Sequence, residues 1–323
     1  MAGLVYAVPA AAPPAPASEY HDLVMSWQGW DGSIWPLTDY SHGVYLGIDG
    51  IEGLAKPAYT QWTQASPSVP GQWFRGAVAN ERKVFWPLEI YSDAGSAAWV
   101  ELERGFWRTM RVGRYGIWSV TGPTNETRTL SCRFVDDGAK AYTYDPVAAA
   151  WSVYGLTLVA DQPYWAGEQI SKTWKAPAPV DFFNGPGKAA PFNIVSGSTF
   201  ANAKISNPGD VEAWPVWTIM GNSTSASVGI GSATVQVPFT VGPGKALVID
   251  TDPTAQQALL YDYTPAAGEA PEIFANPVDR TPDLGSAAFA PIPEGEARSL
   301  SVALTGGGTV RAAITPLYER AWG

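Results

Sequence analysis

The chain has 323 residues, 46% hydrophobic and only 15% charged, against roughly 25% charged in an average soluble protein, so it can bury two domain-sized cores and is not an intrinsically disordered polymer. Its 33 glycines and 28 prolines exceed the roughly 12% that average usage supplies, which favours an all-β chain with many turns. A net charge of −10 and a single cysteine, with no apolar run of about 18 residues, exclude a protein that grips nucleic acid by its phosphates, a disulfide or cysteine-rich zinc framework, and a membrane-spanning helix.

In chain order, residues 1–18 mimic a signal peptide through Ala15-Pro16-Ala17-Ser18, yet they lack a basic opening and prolines interrupt the apolar part. Residues 1–19 are expected to form a flexible, Ala/Pro-rich, polyproline-like arm. Trp27-Gln28-Gly29-Trp30-Asp31-Gly32 predicts a hairpin with a tight Asp-Gly turn. Val44, Leu46 and Ile48 then alternate with Tyr45, Gly47 and Asp49, and Gly50-Ile51-Glu52-Gly53-Leu54-Ala55-Lys56-Pro57 follows. Pro67 to Gly76 is expected to be a loop. In the strand Lys83–Tyr91, Val84, Trp86, Leu88 and Ile90 share one face, and Pro87 predicts an edge strand or a bulge.

One helix is expected, over about residues 93–110, capped by Ser92 or Asp93. Trp99, Leu102, Phe106 and Met110 fall on one face, with Glu101, Glu103, Arg104 and Arg108 outside that stripe. Strands resume at Gly116–Thr121, Thr127–Val135, Lys140–Tyr144 and Ala150–Val159. In the second of these Leu130, Cys132 and Phe134 alternate with polar neighbours, so Cys132 is expected to be a small buried apolar residue. A linker-like passage between Trp165 and Pro179 marks a domain boundary, giving domains 20–165 and 166–323.

In the second half, Asn207-Pro208-Gly209-Asp210 is a turn signal and Trp214–Met220 a short apolar strand. Val235, Val237, Phe239 and Val241 alternate with polar residues or proline, Gly242-Pro243-Gly244 turns the chain, and Ala246–Ile249 forms the next strand. Ala258–Pro293 is proline-rich and without periodicity, which predicts a long surface loop. Leu300, Val302 and Leu304, then Val310, Ala312 and Ile314, predict a terminal hairpin turned at Gly306-Gly307-Gly308.

No catalytic, cofactor-binding or metal-binding residue stands out. His21 and His42 are the only histidines and have no metal-ligand spacing, no Gly-x-Ser-x-Gly elbow accompanies them, and His42 in Tyr40-Ser41-His42-Gly43 has an ordinary turn explanation. Gly185-Pro186-Gly187-Lys188 and Gly242-Pro243-Gly244-Lys245 lack the remaining residues of a phosphate loop and place proline where a donor is needed. Asp31, Asp39, Asp49, Glu101 and Glu103 are available as an acid pair, and each has a turn or surface explanation.

The residues from Trp27 to Leu37 (W-x-G-x-D-G-x-x-W-x-L), Gly50 to Pro57, Thr157 to Trp165, and Asn207 to Asp250 occur in an order that resembles siphophage distal tail proteins, the minor tail or baseplate hub proteins of long non-contractile phage tails. The resemblance covers roughly Trp27 to Trp322 and rests on strands and turns rather than on a catalytic signature. It implies a mainly β protein: an N-terminal β-sandwich with one α-helix, closing into a homohexameric ring, and a C-terminal galectin-like, jelly-roll-like β-sandwich. It further implies a virion protein at the distal end of the tail, assembled in the host bacterial cytoplasm. Its partners would be copies of itself, the tail tube protein above, and tail-tip and fibre proteins below, with DNA passing through a hub whose acidity serves solubility or keeps DNA sliding. No specific nucleic-acid binding and no membrane insertion are implied.

Two other readings are open. Trp165, Trp174, Trp214 and Trp217 could belong to a carbohydrate-binding module that takes a host cell-wall glycan during adsorption. A cell-wall hydrolase or esterase would need an acid pair across a pocket, or a nucleophile near His21 or His42.

Overall fold

The computed structural model describes residues 20–138, 142–175 and 203–323. The N-terminal arm, the Gly185-Pro186-Gly187-Lys188 turn, residues 176–179 of the linker passage and the start of the strand expected from Lys140 lie outside those residues; Tyr142 to Tyr144 are not in a strand. The protein is mainly β and divides into two compact units, one of residues 1–165 with 320–323, the other of residues 166–319.

The first unit carries β1 (Val24–Gln28), β2 (Ile34–Pro36), β3 (Val44–Leu46), β4 (Tyr59–Ser66), β5 (Val69–Ala79) and β6 (Arg82–Tyr91). Helix α1 (Ser96–Thr109) follows, then β7 (Tyr115–Thr121), β8 (Thr127–Asp136), a short helix α2 (Pro146–Ala149) and β9 (Trp151–Ala160). Its main sheet runs β2-β1-β7-β8-β9-β6-β3. The Leu46 N–H donates to the Leu37 carbonyl at 2.8 Å, joining the end of β3 to the residue after β2. The expected sandwich is therefore one antiparallel sheet curled over until its edges meet, as strand twist and a large apolar load on one face favour.

That face is packed by tryptophan. Trp27, Trp86, Trp118 and Trp165 are buried and stand in sequence, ring centroids 5.4, 5.2 and 5.0 Å apart at steep angles, the arrangement that opposes one ring's positive edge to the next ring's negative face. The buried indole N–H groups of Trp86 and Trp118 meet no acceptor among the described residues. Cys132 lies fully buried on the same sheet, and burial pushes its thiol pKa up.

Val84, Trp86, Leu88 and Ile90 all point inward, as their alternation requires. Pro87 marks neither an edge strand nor a bulge. The pairing of β6 with β9 runs unbroken through Pro87↔Gly155, and the Pro87 carbonyl accepts from Gly47 N just past the end of β3. Nitrogen and carbonyl of one residue face the same side of a strand, so the missing N–H falls where β3 has already stopped.

Helix α1 starts later than Ser92 or Asp93 would have it. Gly95, at φ 93°, is the N-cap, with no side-chain cap, and Ser92 serves the preceding turn through Ala94 N at 3.3 Å. The left-handed backbone at Gly95 is incompatible with a helix running through it. Trp99, Phe106 and Met110 are buried and Leu102 half-buried, which matches the expected stripe. Trp99 Nε1 donates to Ile90 O, and Trp27 Nε1 to Thr109 Oγ1, both at 3.0 Å, fixing the helix to β6 and β1.

A short strand, β10 (Trp165–Ala166), lies at the unit boundary. The second unit then has β11 (Ile170–Lys175), β12 (Lys204–Ser206), β13 (Val216–Met220), β14 (Ser223–Ile230), β15 (Ala233–Val237) and β16 (Lys245–Asp250). After these come β17 (Gln257–Thr264), β18 (Ile273–Asp279), β19 (Ala297–Gly306), β20 (Thr309–Ile314) and β21 (Leu317–Tyr318). A six-stranded sheet, β11-β20-β13-β16-β17-β18, and a four-stranded sheet, β12-β19-β14-β15, share one core that includes Trp217, Ile219, Val228, Val235, Leu247, Ile249, Val310 and Ile314. This is a β-sandwich.

Two expectations change here. Ala258–Pro293 is not a structureless loop: it contains most of β17 and all of β18, paired as an antiparallel hairpin with a bulge near Leu260–Asp262. Nor do β19 and β20 form a terminal hairpin. β19 pairs with β12 and β14, whereas β20 pairs with β11 and β13, so the three glycines carry the chain from one sheet to the other. Gly308, at φ 106°, passes so close to the Gly221 and Met220 carbonyls that no Cβ would fit.

The Asn-Pro-Gly-Asp signal is a buried bracket rather than a surface turn alone. Asn207 Nδ2 donates to Val211 O at 2.8 Å and Ile292 O at 3.1 Å, while its Oδ1 accepts from Gly209 N at 2.9 Å. Gly242-Pro243-Gly244-Lys245 is a turn closed by Lys245 N donating to Gly242 O, with Gly244 at φ 69°.

Candidate interaction surfaces

The residues weighed for chemistry are dispersed among turns and ion pairs. Asp31 accepts from Ser33 N and Oγ, and Asp39 from Ser41 N and Oγ, hydrogen bonds that lower both carboxyl pKa values. His42 ends the short 3-10 turn Tyr40–His42 and lies 2.9 Å from Asp39, on the surface. Glu101 pairs with Arg104 along α1, and Glu103 accepts from Tyr154 Oη. Asp49 is exposed and His21 is exposed. None of these is brought together with another across a pocket, and among the described residues no group of three or more His, Cys, Asp and Glu could hold a metal ion. What the molecule offers instead is surface.

The most conspicuous surface includes Pro67 to Gly76, expected from the sequence to be a loop and found mostly in a strand. Among the described residues β4 and β5 pair only with each other, from Tyr59↔Ala79 to Ser66↔Val69, with bulges at Trp62/Thr63 and Ala65/Ser66 and a turn at Pro67-Ser68. An eight-residue strand spans about 25 Å. Both faces are wet: Trp62, Val69, Trp73, Phe74 and Val78 are exposed, Phe74 to 64%. Two strands without a third, or a helix, to pack on are at best marginally stable in water. Cross-strand bonds such as Thr60 Oγ1 to Asn80 Oδ1 and Thr63 Oγ1 to Gln72 Oε1 hold the pairing locally; they do not cover the aromatic rings. An exposed apolar surface of this kind marks an interface.

A smaller apolar patch lies on the outer face of the curled sheet. Ile34 and Ile117 both pair with Gln28 from opposite sides, and Val24 stands on the same strand and face. All three are exposed, Ile34 to 67%.

In the second unit, the tryptophans weighed for glycan stacking are largely spent on packing. Trp217 is buried in the core, Trp174 packs against it, and Trp165 belongs to the first unit's stack. The open aromatic surface is elsewhere, on the outer face of the six-stranded sheet. There Tyr261 and Phe274 sit edge-to-face 5.6 Å apart beside the Arg311–Glu272 ion pair, in a cavity of about 470 Å³. The expectation of a loop over Ala258–Pro293 hides this face in the sequence; the alternation Leu259, Tyr261, Tyr263 is the signal available for it.

No family model matches the chain, and no curated protein matches it either. Solved structures do. The chain is similar to the Dit (gp 19.1) protein of phage SPP1, described as a paradigm of the hub adsorption apparatus in phages infecting Gram-positive bacteria, with a TM-score of 0.57, 10% identity, and coverage of 91% of this chain and 98% of that one. It is similar also to a chain of the phage P2 baseplate in its activated conformation with calcium, with a TM-score of 0.53, 11% identity and coverage of 90% and 97%. The same baseplate with strontium gives 0.51, 10%, 90% and 97%. At these identities the likeness is one of fold, and it extends over both units.

Proposed function

A Dit-like hub fold spanning nearly the whole chain is the premise; from it we propose that the protein is a structural hub of a phage tail tip, working by assembly rather than catalysis. The observation that carries the reading beyond fold is the β4–β5 hairpin, whose exposed Trp62, Trp73 and Phe74 have no use in a free monomer. In this reading the first unit, with its curled sheet and the long helix α1, closes into a homohexameric ring, and the hairpin lies against the neighbouring protomer. Rotational symmetry turns one such heterologous contact into a closed ring instead of an open chain. The second unit, a galectin-like sandwich, serves tail-tip and fibre proteins, the ring seats on the tube of a long non-contractile tail, and DNA passes through the centre. The excess of acidic residues suits a surface that DNA must slide past.

The test is the particle itself. Native mass spectrometry and negative-stain images of the purified chain, alone and mixed with the tail tube protein of its phage, are expected to give six-fold particles with a central hole. A chain that stays monomeric in both preparations overturns the ring.

A further inference from the structure

The outer face of the six-stranded sheet holds unused hydrogen-bonding capacity. Register places Thr218 opposite both Arg311 and Val248, Ser171 opposite Ala313, and Tyr263 opposite Phe274, so these residues share one face, turned away from the core that Trp217, Ile219 and Leu247 fill. Around the cavity of about 470 Å³ the Gln169 amide, the Ser171 and Thr218 hydroxyls and the Tyr261 phenol have no protein hydrogen-bond partner among the described residues, although Thr218 is only 5% exposed. Arg311 spends one nitrogen on both oxygens of Glu272, at 3.0 and 2.8 Å, and Tyr263 Oη donates to the same carboxylate at 3.1 Å. The remaining guanidinium donors of Arg311 have no hydrogen-bond partner among the described residues.

We propose that this cavity is a saccharide subsite, taking one or two pyranose units of a neutral glycan. Three features select that chemistry. The size lies in the range of small-molecule sites, about 300–1,000 Å³. Donors and acceptors of hydroxyl type line it beside the aromatic pair Tyr261–Phe274, and a pyranose matches both with its hydroxyl rim and its C–H face. The only formal charges on its wall, Glu272 and Arg311, neutralise each other, so no cation is left for a phosphate or a carboxylate. Glu272 and Tyr263 hold Arg311 in place, and a fixed guanidinium loses little entropy on meeting a sugar hydroxyl.

The site goes beyond the ring and does not depend on it. Sugar binding by a monomer would leave the site standing, and a ring indifferent to sugars would leave the hub standing. The full chain is titrated with methyl glucoside, methyl galactoside, N-acetylglucosamine and rhamnose, using saturation-transfer NMR to detect binding and chemical shifts to follow affinity. At least one is expected to take up saturation at its ring C–H protons. Tyr261→Ala should weaken that sugar about tenfold, the loss of one stacking contact. Gln169→Ala, at an exposed position that the fold does not need, should weaken it a few-fold, and Lys204→Ala on the other sheet not at all. No saturation transfer to any of the four sugars overturns the subsite, as does binding that Tyr261→Ala and Gln169→Ala leave unchanged while both variants keep the parent's thermal transition.

Discussion

Asn207 shows how much one side chain can carry where backbone from two segments converges. It is fully buried, and its amide faces three carbonyls, of Val211, Ile292 and Pro293, and one N–H, of Gly209, which belong to two separate stretches of the second unit. Asn207→Ala is expected to cost about 1–3 kcal/mol, the penalty of stranding buried polar groups, read as a lower urea midpoint of the second unit's transition. Asn207→Asp keeps the acceptor for Gly209 N but turns a carboxylate oxygen toward Val211 O and Ile292 O, so at neutral pH it should cost more than alanine. The pH dependence has a definite sign: a carboxyl facing carbonyls holds its proton more tightly folded than unfolded, so the variant regains stability as pH falls. An Asp variant whose stability drops on acidification relative to the parent would refute that account. The motif was legible in the sequence as a turn; the burial was not, because the groups Asn207 serves at Ile292 lie 85 residues away. The tryptophans divide in the same way. Trp86 was readable from alternation along β6, whereas the stack it joins depends on Trp27, Trp118 and Trp165, from three other parts of the chain.

Among the elements, those with one wet and one dry face were read closely, and those with two alike faces were not. β6, β7, β8 and β9 bury alternate residues, and their period-2 pattern survives in the sequence. β4 and β5 bury neither face, so YTQWTQAS carries no alternation, Trp73 and Phe74 stand adjacent, and Pro70-Gly71 imitates a loop. The stretch β19 to β20 failed for another reason: two alternating strands around three glycines fit a hairpin and a sheet-to-sheet crossing equally well, and only long-range pairing decides. The hairpin's exposure makes a prediction that belongs to the element. Replacing Trp62, Trp73 and Phe74 together by serine removes large side chains that touch water already, so each change should move the monomer's unfolding free energy by no more than about 0.5 kcal/mol, read from urea unfolding. The same variant should lose its six-fold particles, because buried aromatic anchors dominate interface energy. Unchanged assembly by the triple variant would remove the hairpin from the interface.

On the scale of the molecule, the first unit is discontinuous in sequence: after the second unit is complete, the chain returns to it with Arg320–Gly323. That return is held by buried polar contacts. Arg128, 3% exposed, donates to Arg320 O at 3.0 Å and to Gly323 O at 2.9 Å while pairing with Glu126, and Ala321 N donates to Leu54 O at 3.0 Å. No pattern in the last residues announces this, since the signal is a single arginine on β8 nearly 200 positions earlier. Removing residues 320–323 would leave a buried guanidinium short of two acceptors, a loss of about 3 kcal/mol. It should fall on the first unit's unfolding transition and leave the second unit's unmoved. Arg128→Met then separates this cause from mere loss of chain: if the buried charge is what suffers, the truncation costs clearly less in the methionine background than in the parent, a coupling that a double-mutant cycle reads directly. Strict additivity of the two changes would mean that Arg128 and the terminal residues act independently, and that the first unit is closed by something other than this contact.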